Sequence, residues 1–161
     1  MRTPQWVKKL AGHAGELYVA AELSKRGIPN ALLPENFSDD DILAGDKDGS
    51  LLCFIQVKAC HPDRSKSFIL RDTNELWQEA SDNQFVVFVW LGSPLTDEPP
   101  RYWIATKKEV GLACFQHSAH GTGNWERRFF QTDLKESGWE NNWEKIVSYL
   151  KDAEEPPRGS L

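Results

Sequence analysis

The sequence predicts an α/β protein in which a central mixed sheet of four to five strands is flanked by helices, with the elements in the order α-β-β-β-α-β. Three observations carry this expectation. The segment from Gly15 to Gly27 places Glu16, Val19, Ala20 and Leu23 at the i, i+3, i+4, i+7 spacing of a helix that packs on a core. Asp41 to Cys60 reads as two apolar strands joined by the polar turn Gly45-Asp46-Lys47-Asp48-Gly49, a hairpin. Phe85 to Leu91 is a continuous apolar run, the pattern of a strand covered on both faces.

A length of 161 residues, 40% hydrophobic content and seven tryptophans supply enough apolar material for a real core, which argues against disorder. One domain is expected over residues 1–152, with 153–161, which contain Pro156-Pro157, as a disordered tail. The net charge of −5 counts against a protein held to nucleic acid by long-range attraction. It is compatible with a local basic groove, because an acidic metal site adds to the negative total that a bound ion offsets. Cys53, Cys60 and Cys114 are too few and too irregularly spaced for a disulfide framework and read as reduced, packed thiols. Met1 to Trp6 contains no apolar signal core, and no later run approaches membrane-spanning length, so a cytoplasmic protein without membrane contact is expected.

In chain order, residues 1–11 read as a lead-in whose Trp6, Val7 and Leu10 pack on the domain. The helix that follows ends at Gly27, suited to a left-handed cap, with Pro29 soon after. Ile28 to Leu33 is the first strand, residues 34–40 its turn, and the hairpin comes next. His61 to Ser67 is polar and interrupted by proline, a loop leaving one end of the hairpin, in which Arg64 and Lys66 are candidate phosphate contacts. Phe68 to Leu70 is a short strand or a packing segment. Asp72 to Asp82 reads as a helix capped by Asp72 or Thr73, with Leu76, Trp77 and Ala80 inward.

Phe85 to Leu91 is then the fourth strand of the core, Gly92 to Arg101 an exposed turn, and Tyr102 to Ala105 the antiparallel return. Thr106 starts a short helix reaching Leu112 on the Thr-x-x-Glu capping pattern with Glu109. Gln116 to Phe130 reads as a flexible loop rimmed by His117, His120, Arg127 and Arg128, the two arginines being candidate nucleic-acid contacts. Zinc held by Cys114, His117 and His120 is a weaker reading, since no further Cys or carboxylate stands close by. Gly138 breaks the chain, and Trp139 to Lys151 forms a last amphipathic helix with Trp143, Ile146, Val147 and Leu150 inward.

Against this frame a few polar residues stand out. Gln56 and Lys58 interrupt an otherwise apolar strand, and the strand period puts them on one face beside Phe54. A lysine on a largely buried strand needs a carboxylate or an anionic ligand nearby. Asp41 opens the preceding strand, so hairpin pairing can bring it alongside. Glu16 is an acid on the core-facing side of its helix, either a site residue or a first-turn acid that stabilises the helix dipole. Glu22 by contrast faces outward and can pair with Arg26. If Glu16, Asp41 and Gln56 converge, they offer two carboxylates and an amide carbonyl, the hard oxygen donors that Mg²⁺ or Mn²⁺ prefers.

The order Glu16 in a first helix, Asp41 at a strand start, then Gln56-Val57-Lys58 in the next strand resembles the PD-(D/E)XK nuclease superfamily, in the variant where glutamine replaces the second acid. The Gln-x-Lys form is similar to the catalytic domains of Mrr-like restriction endonucleases and to Holliday-junction-resolvase-like domains. The resemblance runs from about residue 12 to 110, on a motif of four polar residues. It implies a restriction-endonuclease-like αβββαβ core and DNA as substrate, with RNA left open. It also implies Mg²⁺ or Mn²⁺ held by Glu16, Asp41, Gln56 and the main-chain carbonyl of Val57, with Lys58 as the catalytic cation. A homodimer is a further expectation of the resemblance, and the Trp125, Phe129, Phe130 and Trp139 cluster would suit a core or an interface. The alternative from another class is a catalytically silent nuclease-fold module in which Asp41 and Lys58 only pair with each other.

Overall fold

The computed structural model describes residues 4–36, 38–61, 63, 67–70, 77–117 and 127–151, with the backbone alone for 114–117, 127, 128 and 130. Helix α1 (Gln5–Lys25) leads into β1 (Asn30–Leu32), β2 (Ile42–Gly45) and β3 (Leu52–Cys60). Then come β4 (Ser67–Leu70), β5 (Gln84–Trp90), β6 (Arg101–Thr106), α2 (Lys107–His117), β7 (Arg127–Phe130), α3 (Gln131–Lys135) and α4 (Glu144–Lys151). Five strands form one sheet in the order β1-β2-β3-β5-β6, and β4 pairs with β7 in a second, two-stranded sheet. Within the main sheet β3 and β5 run parallel and the other neighbours antiparallel. The expected mixed α/β architecture is the one observed, and the expected fourth strand, Phe85 to Leu91, is β5, which spans Gln84–Trp90.

Alternation along β5 explains its unbroken apolar run. Phe85, Val87 and Val89 pack with Val19 and Leu23 of α1 and with Trp143, Ile146 and Leu150 at the C-terminal end. Val86 and Phe88 enter a second core with Phe68, Trp77, Trp103, Phe129 and Trp139. Phe88 is the hub of that core, 5.1 Å from the Phe68 ring, 5.7 Å from Phe129 and 6.4 Å from Trp139. Phe129 and Trp139 therefore belong to the core, while the side chains of Trp125 and Phe130 lie outside the described residues. Cys53 and Cys60 are buried and form no disulfide, and burial pushes the Cys53 thiol up to about 12.

Several boundaries differ from expectation. Helix α1 begins at Gln5, within the expected lead-in, and Trp6 and Leu10 are 65% and 58% exposed instead of packed. Gly12 and Gly15 weaken the helical signal there, yet both lie inside the helix. Gly15 allows close packing: a Cβ on it would sit 2.6 Å from Ala59 Cβ. The helix ends as predicted, with Gly27 at φ 75°. The Gly27 and Ile28 N–H groups donate to Ser24 and Leu23 carbonyls, the Schellman pattern.

Residues 72–76 of the expected 72–82 helix lie outside the described set; Trp77 and Gln78 are helical and the chain turns before Ala80. Helix α2 runs on past Leu112 to His117. Arg127 and Arg128 lie in β7, paired with Leu70 and Ile69, and not on a loop. The last helix starts at Glu144, later than expected, because the chain from Trp139 first runs beside β6. Ile104 N–H donates to Trp139 O at 2.8 Å and Asn141 N–H to Tyr102 O at 2.9 Å, satisfying backbone groups on the outer edge of β6. No helix among the described residues is long and apolar enough to cross a membrane.

Candidate metal centre

The hairpin register pairs Ile42 with Ile55 and Leu43 with Phe54, so continuing it by one residue sets Asp41 beside Gln56. Asp41 is fixed there by its own backbone: its N–H donates to Ile55 O at 2.9 Å, and its carbonyl accepts from Leu33 N–H at 2.8 Å. The Val57 N–H, reaching past the end of β2, donates to Asp41 Oδ2 at 2.7 Å. A strand residue sends its N–H and C=O to the same side, so the Val57 carbonyl faces the same end of β2.

Glu16 arrives from the other direction. It lies in the middle of α1, whose first turn holds no acid, so the dipole reading of this residue falls away. Gly15 brings the helix onto Val57 and Ala59 of β3, and Glu16 then lines a cleft with Asp41, Asp40, Glu35 and Lys9. The cleft has a volume of about 380 Å³. Glu22 sits outward and pairs with Arg26, as its position predicts.

Gln56 and Lys58 are half-buried on β3. Because Val57 and Ala59 face α1, alternation assigns Gln56 and Lys58 to the opposite face, and neither lines the cleft itself. Asp41, at the end of β2, links the two groups: the Lys58 charge acts on it, and its own charge acts on Glu16. The Gln56 Oε1 atom is enclosed and accepts no hydrogen bond from any described residue, an uncompensated cost for a buried carbonyl oxygen.

Electrostatics single out the two acids. Burial, and next the neighbouring Asp41 charge, raise the Glu16 carboxyl above its ordinary range. Burial also raises that of Asp41, against the opposing effects of the Val57 N–H and Lys58. Two half-enclosed carboxylates that repel each other favour a proton or a cation between them. Among the described residues no three His, Cys, Asp or Glu side chains form a metal-holding group, so any hard cation here would need the Gln56 amide or main-chain oxygens as well.

Sequence reading missed Lys107 and Asp40. Lys107 Nζ donates to Asp40 Oδ1 at 2.7 Å, an ion pair with one of the carboxylates that line the cleft. The available signal was a lysine at the first position of a helix, where it opposes the dipole. The capping pattern beside it formed as predicted: Glu109 N–H donates to Thr106 Oγ1 at 3.1 Å, and Thr106 N–H to Glu109 Oε2 at 2.8 Å. Arg64, Lys66 and His120 lie outside the described residues, as do the side chains of Arg127, Arg128, Cys114 and His117.

No protein-family model matches the chain, and no curated protein matches it. Among solved structures it is similar to a bacterial homing endonuclease, I-Ssp6803I, with a TM-score of 0.54 at 15% sequence identity. The match covers 91% of this chain and 95% of that one. At that identity the likeness is one of fold: the five-stranded mixed sheet flanked by helices is an architecture shared with an endonuclease.

Proposed function

We propose that the chain is a metal-dependent endonuclease of the PD-(D/E)XK kind, in its Gln-x-Lys form, hydrolysing phosphodiester bonds in DNA. The observation that carries this reading is the meeting of Glu16 and Asp41 in one cleft at the end of β2, with Gln56, whose enclosed oxygen has no described donor, opposite Asp41 across the hairpin. Glu16, Asp41, Gln56 and the Val57 carbonyl are oxygen donors that fit Mg²⁺ or Mn²⁺. Such an ion, when bound, would polarise a scissile phosphate and acidify a water. The Val57 N–H occupies one lone pair of Asp41 Oδ2 and fixes the carboxylate plane, leaving Oδ1 for a ligand. Lys58 supplies positive charge beside Asp41, suited to the negative charge that builds on a phosphate in the transition state. Arg64, Lys66, Arg127 and Arg128 are the proposed contacts to the nucleic-acid backbone, and action as a homodimer in the cytoplasm completes the reading. The likeness to a homing endonuclease supports it at the level of fold.

The test is nicking of supercoiled plasmid in Mg²⁺ or Mn²⁺, comparing wild type with Lys58→Ala and Asp41→Asn under matched folding controls. Metal-dependent nicking that falls roughly 100-fold or more in both variants is expected. No nicking by the folded wild type on supercoiled or linear DNA would sink the proposal in favour of a silent module.

A further inference from the structure

Charge is spread unevenly along the chain. Residues 1–15 hold three of the 19 lysines and arginines and none of the 24 acids, which leaves 16 against 24 in the rest, a net of +3 beside −8. The described part of that segment is the first half of α1, where Trp6, Lys9, Leu10 and His13 stand at the i, i+3, i+4, i+7 spacing of one helix face. All four are exposed, and their face is turned away from the buried Gly15, Val19 and Leu23. Trp6 and Leu10 together leave a large apolar surface in water, which marks a contact surface. Arg26, Arg101, Lys107 and Lys145 each pair with a carboxylate, whereas Lys9 has no such partner among the described residues. The face also runs into the cleft: Lys9 lines it, and His13 lies close enough for its charge to act on Glu16.

We infer that this face of α1 is the track along which an unpaired DNA strand leaves the cleft, with Lys9 on a phosphate and the Trp6 ring stacked on a base. This rests on the proposed endonuclease function and narrows its substrate to DNA with a single-stranded segment, such as a tailed or branched duplex. Sites for single strands combine basic groups that follow the backbone with aromatic rings that accept any base. A duplex hides its base faces, and holding one by phosphates alone asks for more basic charge than a chain of net −5 offers. Pairing the face with itself across a two-fold axis would set one acid-free, basic segment against another.

The experiment is fluorescence anisotropy of the full chain with a labelled duplex bearing a single-stranded tail, and with the same duplex blunt-ended, in EDTA across a series of NaCl concentrations. Wild type should bind the tailed duplex more tightly. Trp6→Ala should weaken that binding about tenfold and leave the blunt duplex unaffected, with Trp6→Phe restoring most of the loss. Lys9→Ala should lower the slope of log affinity against log salt by about 0.7, the contribution of one single-strand phosphate. Equal binding of both duplexes by wild type, binding of neither, or folded variants that hold the tailed duplex as wild type does overturns the inference. So does a wild-type dimer that Trp6→Ala converts to monomers on gel filtration, since the face would then meet a second copy. If Trp6→Ala does not fold, the Lys9→Ala slope decides alone. Plasmid nicking by wild type is read separately: nicking alongside a failed binding result sinks this inference only, and no nicking sinks the endonuclease reading and the inference with it.

Discussion

Replacing Gly15 by alanine adds one methyl group at the closest approach of α1 to the sheet. The new Cβ would lie 2.6 Å from Ala59 Cβ and 3.3 Å from Val57 Cγ1. Carbon atoms pack best at roughly 3.5–4.0 Å, so α1 must withdraw by about 1 Å at this point. Ala59 Cβ belongs to the middle strand of the sheet and cannot swing away. Stability should change little: alanine gains about 1 kcal/mol of helix propensity, while overpacking costs about 1–3 kcal/mol. The net loss of roughly 0–2 kcal/mol corresponds to a few degrees in melting temperature for a chain of this size. Under the proposed function, activity should suffer more, because Glu16, a proposed metal ligand, is the next residue along the helix. A displacement of ~1 Å in a catalytic group costs on the order of 100-fold in rate. The assay is Mn²⁺ affinity and plasmid nicking, measured beside a urea melt, for Gly15→Ala and for Gly15→Ala/Ala59→Gly. The double variant removes the obstructing methyl and should recover both readouts at a further cost of about 0.5–1 kcal/mol for glycine in a strand. Wild-type nicking and Mn²⁺ affinity in Gly15→Ala would refute the reasoning, as would a folded double variant that stays inactive.

Phe88→Ala removes the hub of the aromatic core and should destabilise the protein by about 3–5 kcal/mol, read as a lower urea midpoint. The Glu16 and Asp41 carboxyls are raised in the folded chain relative to the unfolded one, so the native state holds more protons just above the ordinary carboxylate range. Stability of the ion-free protein should therefore rise as pH falls through that range, with the full burden of the two charges present at neutral pH. Glu16→Gln should accordingly raise the urea midpoint at neutral pH and lose that advantage in acid, while Mn²⁺ affinity of the wild type weakens on acidification.

Much of this arrangement was legible because its signals are local. The Val19 and Leu23 stripe set the inward face of α1, the hairpin set Asp41 against Gln56, and Gly27, Thr106 and Glu109 marked helix ends by their own backbone chemistry. What stayed hidden depends on contacts between distant segments. Gly12 and Gly15 look like helix breakers until β3 is seen against them, and Trp6 and Leu10 look like core residues until they are found exposed. The Lys107 to Asp40 pair spans 67 positions, and the turn from Trp139 to Asn142 bonds its backbone to the open edge of β6. Strand β4 could be placed only by its pairing with β7. No periodicity announces partners of that kind.

Thermal unfolding with and without millimolar MnCl₂, for wild type and Asp41→Asn, tests the central claim most directly. An ion bound only by the folded state stabilises it by about 2.7 kcal/mol at a concentration 100 times its dissociation constant. That corresponds to a rise of roughly 5–11 °C for a chain of this size. The wild type is predicted to show the rise and Asp41→Asn to lose it while keeping a cooperative transition. No rise in the wild type, or an equal rise in both proteins, would contradict a divalent-ion site built on Asp41.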